Sequence, residues 1–219
     1  MAISDFGRLS ASFGLIKCPC KIAADEFLLW QQVILKEWGF AIKAQALEGG
    51  AVDVVRALSP RTAPISTRYV FWTLNEKWTL YFDNGANGTD AASPMSVLSS
   101  RLKVDSLRIT MADEVKNPDS GQVMQYRASI FECYSEGVDR RHVFSANDGG
   151  KWKFGESGDP FEFEDVAAYK LKSIKDRLTN AMILSYLKRL DADFDAIGGH
   201  GYLLTKSGKM PPSYKEFKD

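Results

Sequence analysis

The sequence predicts an α+β protein, a largely antiparallel β-sheet with helices packed on one face. Strand-like alternation fills the middle of the chain: in Trp78-Thr79-Leu80-Tyr81-Phe82, Trp78, Leu80 and Phe82 share a face. Helical apolar spacing marks both ends, with Phe27, Trp30, Ile34, Leu35 and Trp38 early and Ile183, Leu187 and Leu190 late. Short turns at Asn75-Glu76, Glu136-Gly137 and 147–150 join consecutive strands. Strands in the centre with helices outside them argue for α+β.

Taken in order, the first helix begins near Ala24, where Asp25 and Glu26 suit the positive end of the helix dipole, and stops at Gly39. Phe40 to Leu47 reads as a strand with Phe40, Ile42, Ala44 and Ala46 on one face. Gly49-Gly50 turns the chain into a short helix, Ala51 to Leu58. Pro60 and Pro64 make Ser59 to Ser66 an irregular surface loop. Arg68 to Leu74 and Lys77 to Phe82 then form a hairpin.

After the polar stretch 83–90, Ser93-Pro94 reads as an N-cap followed by proline at the first helical position, and Met95, Leu98 and Leu102 form the apolar stripe. Leu107, Ile109 and Met111 alternate as a half-buried strand, and 117–121 is a turn. Strands follow at Val123 to Ser135, Arg140 to Ala146 and Lys151 to Phe154. A short helix is expected at Glu164 to Leu171, and a stronger one is capped by Thr179. With no repeat or linker, residues 1–219 read as one domain, with 1–21 and 198–219 at its periphery.

A chain of 219 residues buries roughly 70% of its unfolded surface and needs no disulfide or metal staple. Its 28 basic residues match 28 acidic ones, so composition supplies no basic excess for phosphate backbones, and nucleic acid is not the expected partner. Met1 to Ile16 lacks the basic start and apolar run of a secretory signal, and no stretch is long and apolar enough for a membrane span; a cytoplasmic location is expected. Cys18 and Cys20, one residue apart, are poorly placed for a mutual disulfide and, with Cys133, read as reduced buried thiols.

Candidate chemistry is sparse. His142 lies in a strand and His200 between glycines; Cys133 with His142, on neighbouring strands, is the best nucleophile–base pairing available. Neither phosphate-binding glycine pattern, G-x-G-x-x-G after a strand nor G-x-x-x-x-G-K-[ST], is present. The aromatic runs at 69–72 and 78–82 belong in a sheet core. No catalytic set, metal site or cofactor is assigned. The one dense polar segment is 83–90, where Asp83, Asn84, Asn87, Thr89 and Asp90 are the candidate binding residues. Such residues also serve simply as turn-formers, and the segment lacks the alternating oxygen ligands of a calcium loop.

Several segments occur in a familiar order: 78–85 with Gly88-Thr89-Asp90, Ala146 to Trp152, Pro160-Phe161 with Glu164-Asp165, Tyr169-Lys170, and Lys175 to Thr179. Over roughly Ile22 to Leu190 this resembles a family of uncharacterised bacterial proteins, some of them associated with toxin–immunity loci. The resemblance implies a non-catalytic, toxin-neutralising immunity protein whose partner is a protein, and it supplies no catalytic residue. The alternative is a carboxylate-dependent hydrolase using Asp83, Asp90 and Asp148.

Overall fold

The computed structural model describes residues 2–194 and 197–217. In chain order its strands and α-helices are β1 (Ser12–Ile16), α1 (Cys20–Glu37), β2 (Phe40–Glu48), α2 (Ala51–Ala57), β3 (Arg61–Ala63), β4 (Arg68–Thr73), β5 (Thr79–Asp83), α3 (Ala92–Leu102) and β6 (Asp105–Ala112). Then come β7 (Val115–Lys116), β8 (Val123–Gln125), β9 (Ala128–Ser135), β10 (Val138–Asp148), β11 (Lys151–Ser157), α4 (Asn180–Arg189), β12 (His200–Gly208) and β13 (Lys215–Phe217). Nine strands form one sheet in the order β11-β10-β9-β6-β1-β5-β4-β12-β2, and each neighbouring pair is antiparallel. The class is α+β on a large antiparallel sheet.

The helices lie on both faces of this sheet rather than on one. The reason is in β4 and β5, which are apolar toward both sides. Val70, Trp72, Leu80 and Phe82 pack with the 3-10 segment Ile3–Ala11, α2 and α4. Tyr69, Phe71 and Tyr81 pack with α1 and α3. A strand buried on both faces needs a cover on each. α3 covers only the middle of its face, with the Met95 side chain set against Gly14, where a Cβ would come within 2.7 Å of Sδ.

Parts of both ends lie inside the main sheet rather than at its periphery, while 209–217 stays outside it. β1 lies between β6 and β5, and β12 lies between β4 and β2. Gly201, in a stretch expected at the periphery, is a close-packing position: a Cβ there would sit 2.2 Å from the Phe71 carbonyl oxygen. Three other boundaries move. α1 starts four residues early, at Cys20 behind Pro19. α3 begins at Ala92 after Ala91, which makes no side-chain cap, so Ser93 and Pro94 lie inside its first turn rather than starting it. The stretch from Val123 splits, with β8 leaving the main ladder to pair with β7.

No helix forms over 164–171 beyond the 3-10 turn Ala168–Lys170. A tertiary ion pair overrides the local preference. Glu164 turns inward onto the buried Arg141 of β10, accepting from Nε at 3.0 Å and from Nη2 at 2.7 Å. It also accepts the Phe161 N–H at 2.9 Å and the Tyr169 hydroxyl at 2.8 Å. Arg141 further donates to Glu156 and to the carbonyls of Ser157 and Gly158. This saturated cluster clamps the segment before α4 onto the β10–β11 end of the sheet.

Removing Glu164 leaves the buried Arg141 with only the half-exposed Glu156 as an ionic partner and strips the buried end of the cluster. Glu164→Ala is therefore expected to cost about 3–5 kcal/mol in urea unfolding. Lys153→Ala, which breaks an exposed pair with Asp148, is expected to cost less than about 1 kcal/mol. Equal effects of the two would contradict the clamp.

Candidate functional site

β5 ends in Asp83, and the chain must pass from the sheet interior to α3 over 84–91. Two of the first side chains turn inward. Asn84 uses both ends of its amide: Oδ1 accepts the N–H groups of Thr67 and Arg68 at 2.8 and 3.0 Å, while Nδ2 donates to Pro60 O at 2.8 Å. The backbone completes the tie, as Thr62 N–H donates to Asn84 O and Ala86 N–H to Thr62 O. These bonds fasten the loop to the 60–68 segment, whose strand β3 pairs with β13 on its other side.

Asp83 organises the other side. Its Oδ1 accepts Gly85 N–H at 2.8 Å and Ser66 Oγ–H at 2.9 Å. Its Oδ2 accepts Asp90 N–H at 3.0 Å and faces the Tyr81 hydroxyl at 3.4 Å. The carboxylate thus clips the two ends of the loop together. Thr89 closes the ring, accepting Asp83 N–H on Oγ1 and receiving Ser12 Oγ–H on its carbonyl. Glycine is required at two places. Gly88 takes φ +97, and a Cβ on Gly85 would meet Gly88 O at 2.8 Å.

Of the five residues singled out from sequence, Asp83, Asn84 and Thr89 are therefore buried supports, whereas Asn87 and Asp90 are exposed. The loop forms one bank of a trough of about 1280 Å3. α1 contributes Trp30 to its wall, and α3 opens onto it with Ser93 and Pro94. Part of its floor is the sheet beyond α3, where Thr110 of β6 and Ile130 of β9 stand side by side. Met124 of the β7–β8 hairpin also lines it.

Electrostatics set Asp83 apart. Burial pushes its carboxyl up to about 6, although the N–H groups of Gly85 and Asp90 and the Ser66 hydroxyl pull the other way. Burial also raises the hydroxyls of Tyr69 and Tyr81, and the Asp83 charge adds to both. Lys206 of β12 is buried on the same sheet face, its Nζ 5.8 Å from the Tyr69 ring centroid and 5.6 Å from that of Phe40. Burial lowers its pKa, and Asp83 partly restores it. Sequence reasoning missed Ser66, Tyr69 and Lys206 as neighbours of the loop. The alternation Tyr202, Leu204, Lys206 was the available signal for the last of these.

Other candidates separate. Cys133 pairs with Arg141 across the ladder, and His142 pairs with Glu132. Paired residues share a face, so Cys133 and His142 point to opposite sides of the sheet. The thiols are buried, and burial pushes Cys18 and Cys133 to about 12 and Cys20 to about 11, which keeps them protonated. His200 is exposed, within 3.1 Å of the Thr73 hydroxyl. Asp148 is exposed at the end of β10, paired with Lys153, and is not part of the trough lining. Among the described residues no cluster of three His, Cys, Asp or Glu side chains is placed to hold a metal ion. Among them, too, no helix is long and apolar enough to cross a membrane.

Comparison of the chain with protein-family models, with curated proteins and with solved structures finds no match.

The Asp83 carboxyl takes up a proton more readily folded than unfolded, since about 6 lies above 3.8. Its contribution to stability is full below about 3.8 and is lost as pH rises through about 6, a swing of up to about 3 kcal/mol. Asp83→Asn cannot titrate. The stability of wild type relative to Asp83→Asn is therefore expected to grow as pH falls from 7 to 4, in urea titrations at each pH. A constant difference across that range would contradict the placement of Asp83.

Proposed function

We propose that this chain is a non-catalytic protein-binding module, and that it neutralises a protein toxin in the manner its sequence resemblance implies. The loop 83–90 and the trough beside it would be the binding surface. One observation carries the reading. The inward side chains of the loop are spent on holding it in place, and the two outward ones, Asn87 and Asp90, stand on the rim of the large trough. A rigid loop loses little conformational freedom on docking, and that preorganisation favours binding without any reacting group. The trough mixes apolar side chains such as Trp30 and Ile130 with polar ones such as Thr110 and Arg108, a mixture that suits a protein interface with an apolar centre and polar rim.

A second reading, a carboxylate-dependent hydrolase, draws on the raised carboxyl of Asp83. Against it, both oxygens of Asp83 already accept donors from the loop. Asp148, the third carboxylate of that reading, stands elsewhere and is paired with Lys153.

The test is retention of a partner from the native host by immobilised protein. Wild type is expected to retain one specific protein. The double variant Asn87→Ala, Asp90→Lys is expected to bind it at least about tenfold more weakly, corresponding to about 1.4 kcal/mol, with unchanged circular dichroism. Equal retention by wild type and variant, or none by wild type, would overturn the reading.

A further inference from the structure

β2 is one border of the nine-stranded sheet, and among the described residues no strand pairs with its outer side. Its nine residues pair with β12 in unbroken register, from Glu48 opposite His200 to Phe40 opposite Gly208. The phase of the ladder follows from one bond: Gly49 N–H donates to Gly199 O. Counting back, residues 41, 43, 45 and 47 turn their backbone groups toward β12. Phe40, Ile42, Ala44, Ala46 and Glu48 turn theirs outward. β12 gives the same phase, since the Lys206 N–H points away from β2, to Thr67 O.

Exposed sheet edges attract further strands, and proteins commonly blunt them with bulges, prolines or charges. β2 has no register shift and no proline, and its only charges are Lys43 and the terminal Glu48. The opposite border, β11, carries Lys151, Lys153 and Glu156 within seven residues. Beside β2 runs α1, which exposes Leu29, Val33 and, at its C-cap, Trp38, the last at 73%.

We propose that β2 pairs with β2 of a second copy of this chain, antiparallel about a two-fold axis at Ala44, joining two sheets into one. The outward set is symmetric about Ala44, so one register satisfies all of it. Ala44 faces the partner's Ala44, Ile42 the partner's Ala46 and Phe40 the partner's Glu48. On the α1 side the axis is flanked by the small, exposed Ala44 and Ala46, which leave the two helix layers room to approach. On the other side Lys43 meets the partner's Gln45 and Ala41 the partner's Leu47, so no like charges are opposed. The same register brings Trp38 to the partner's Gly49-Gly50 turn, which the Asp53 carboxylate braces by accepting the Gly50 N–H. A nine-residue edge is about 30 Å long and, with its helix layer, about 20 Å deep, a strip on the order of 600 Å2 before Trp38 is added. Specific dimers bury roughly 800 Å2 per partner. The self-complementary register is what selects a second copy over a strand from another protein. This surface is separate from the trough and stands independently of the function proposed for it.

Sedimentation velocity on the full chain from about 1 to 100 μM, a range that brackets micromolar affinity, is the test. Wild type is expected to reach twice the 24.4 kDa monomer mass. Ala44→Pro removes an outward N–H without touching the β12 ladder, and Ala44→Lys sets two cations across the axis. Both are expected to remain monomeric with unchanged circular dichroism. Ala44→Cys is expected to give a disulfide-linked dimer on oxidation, because the native thiols are buried, whereas Gln45→Cys is not. A wild type that stays monomeric throughout would overturn the proposal, even if it binds a strand of some other protein. So would a dimer that survives both Ala44→Pro and Ala44→Lys.

Discussion

The side-chain amide of Asn84 holds the trough end of this molecule together. It is buried, and it joins backbone at Pro60, Thr67 and Arg68 to the end of a central strand. Without it the 60–68 segment and the 83–90 loop would each have to satisfy buried backbone groups some other way, at a cost of about 1–3 kcal/mol per group. With it, the adjacent carboxylate of Asp83 is free to clip the loop's two ends. The rim of the trough is thus built from the same bonds that finish the sheet.

Composition alone does not make a segment rich in acids, amides and glycines a reactive centre. Acidic and amide side chains become general bases or ligands when lone pairs are left facing a cavity. Here Asp83 and Asn84 direct theirs at backbone N–H groups. The residues that meet solvent, Asn87 and Asp90, contribute shape and polarity. The raised carboxyl of Asp83 follows from its enclosure, much as the thiols of Cys18 and Cys133 are raised by theirs.

Much of the fold was legible. The hairpin of β4 and β5, the alternation in β6, and α4 with its Thr179 cap, which accepts Met182 N–H, follow from period and capping chemistry. What escaped depended on contacts distant in sequence. Gly201 reads as flexibility but is there for a close approach of backbones. Glu164 and Tyr169 sit in a helix-like stretch, yet a buried arginine 23 residues earlier dictates the backbone. The cover on both faces was hinted at by unbroken apolar runs such as Val70-Phe71-Trp72, which alternation alone does not separate from a one-sided strand. In the candidate site the loop was visible as a polar cluster. Which of its residues face inward was not, because Asn84 and Asn87 are the same residue type, and their roles diverge only through the 60–68 segment.

The 83–90 loop is held fixed in the free protein by the bonds of Asp83 and Asn84. Amide hydrogen exchange of the free protein measures this directly at Gly85 and Asp90, whose N–H groups donate to Asp83. Both are expected to exchange as slowly as the amides of β5, and Asn87, at the exposed tip, faster. Exchange at Gly85 and Asp90 as fast as at Asn87 would contradict a preorganised rim.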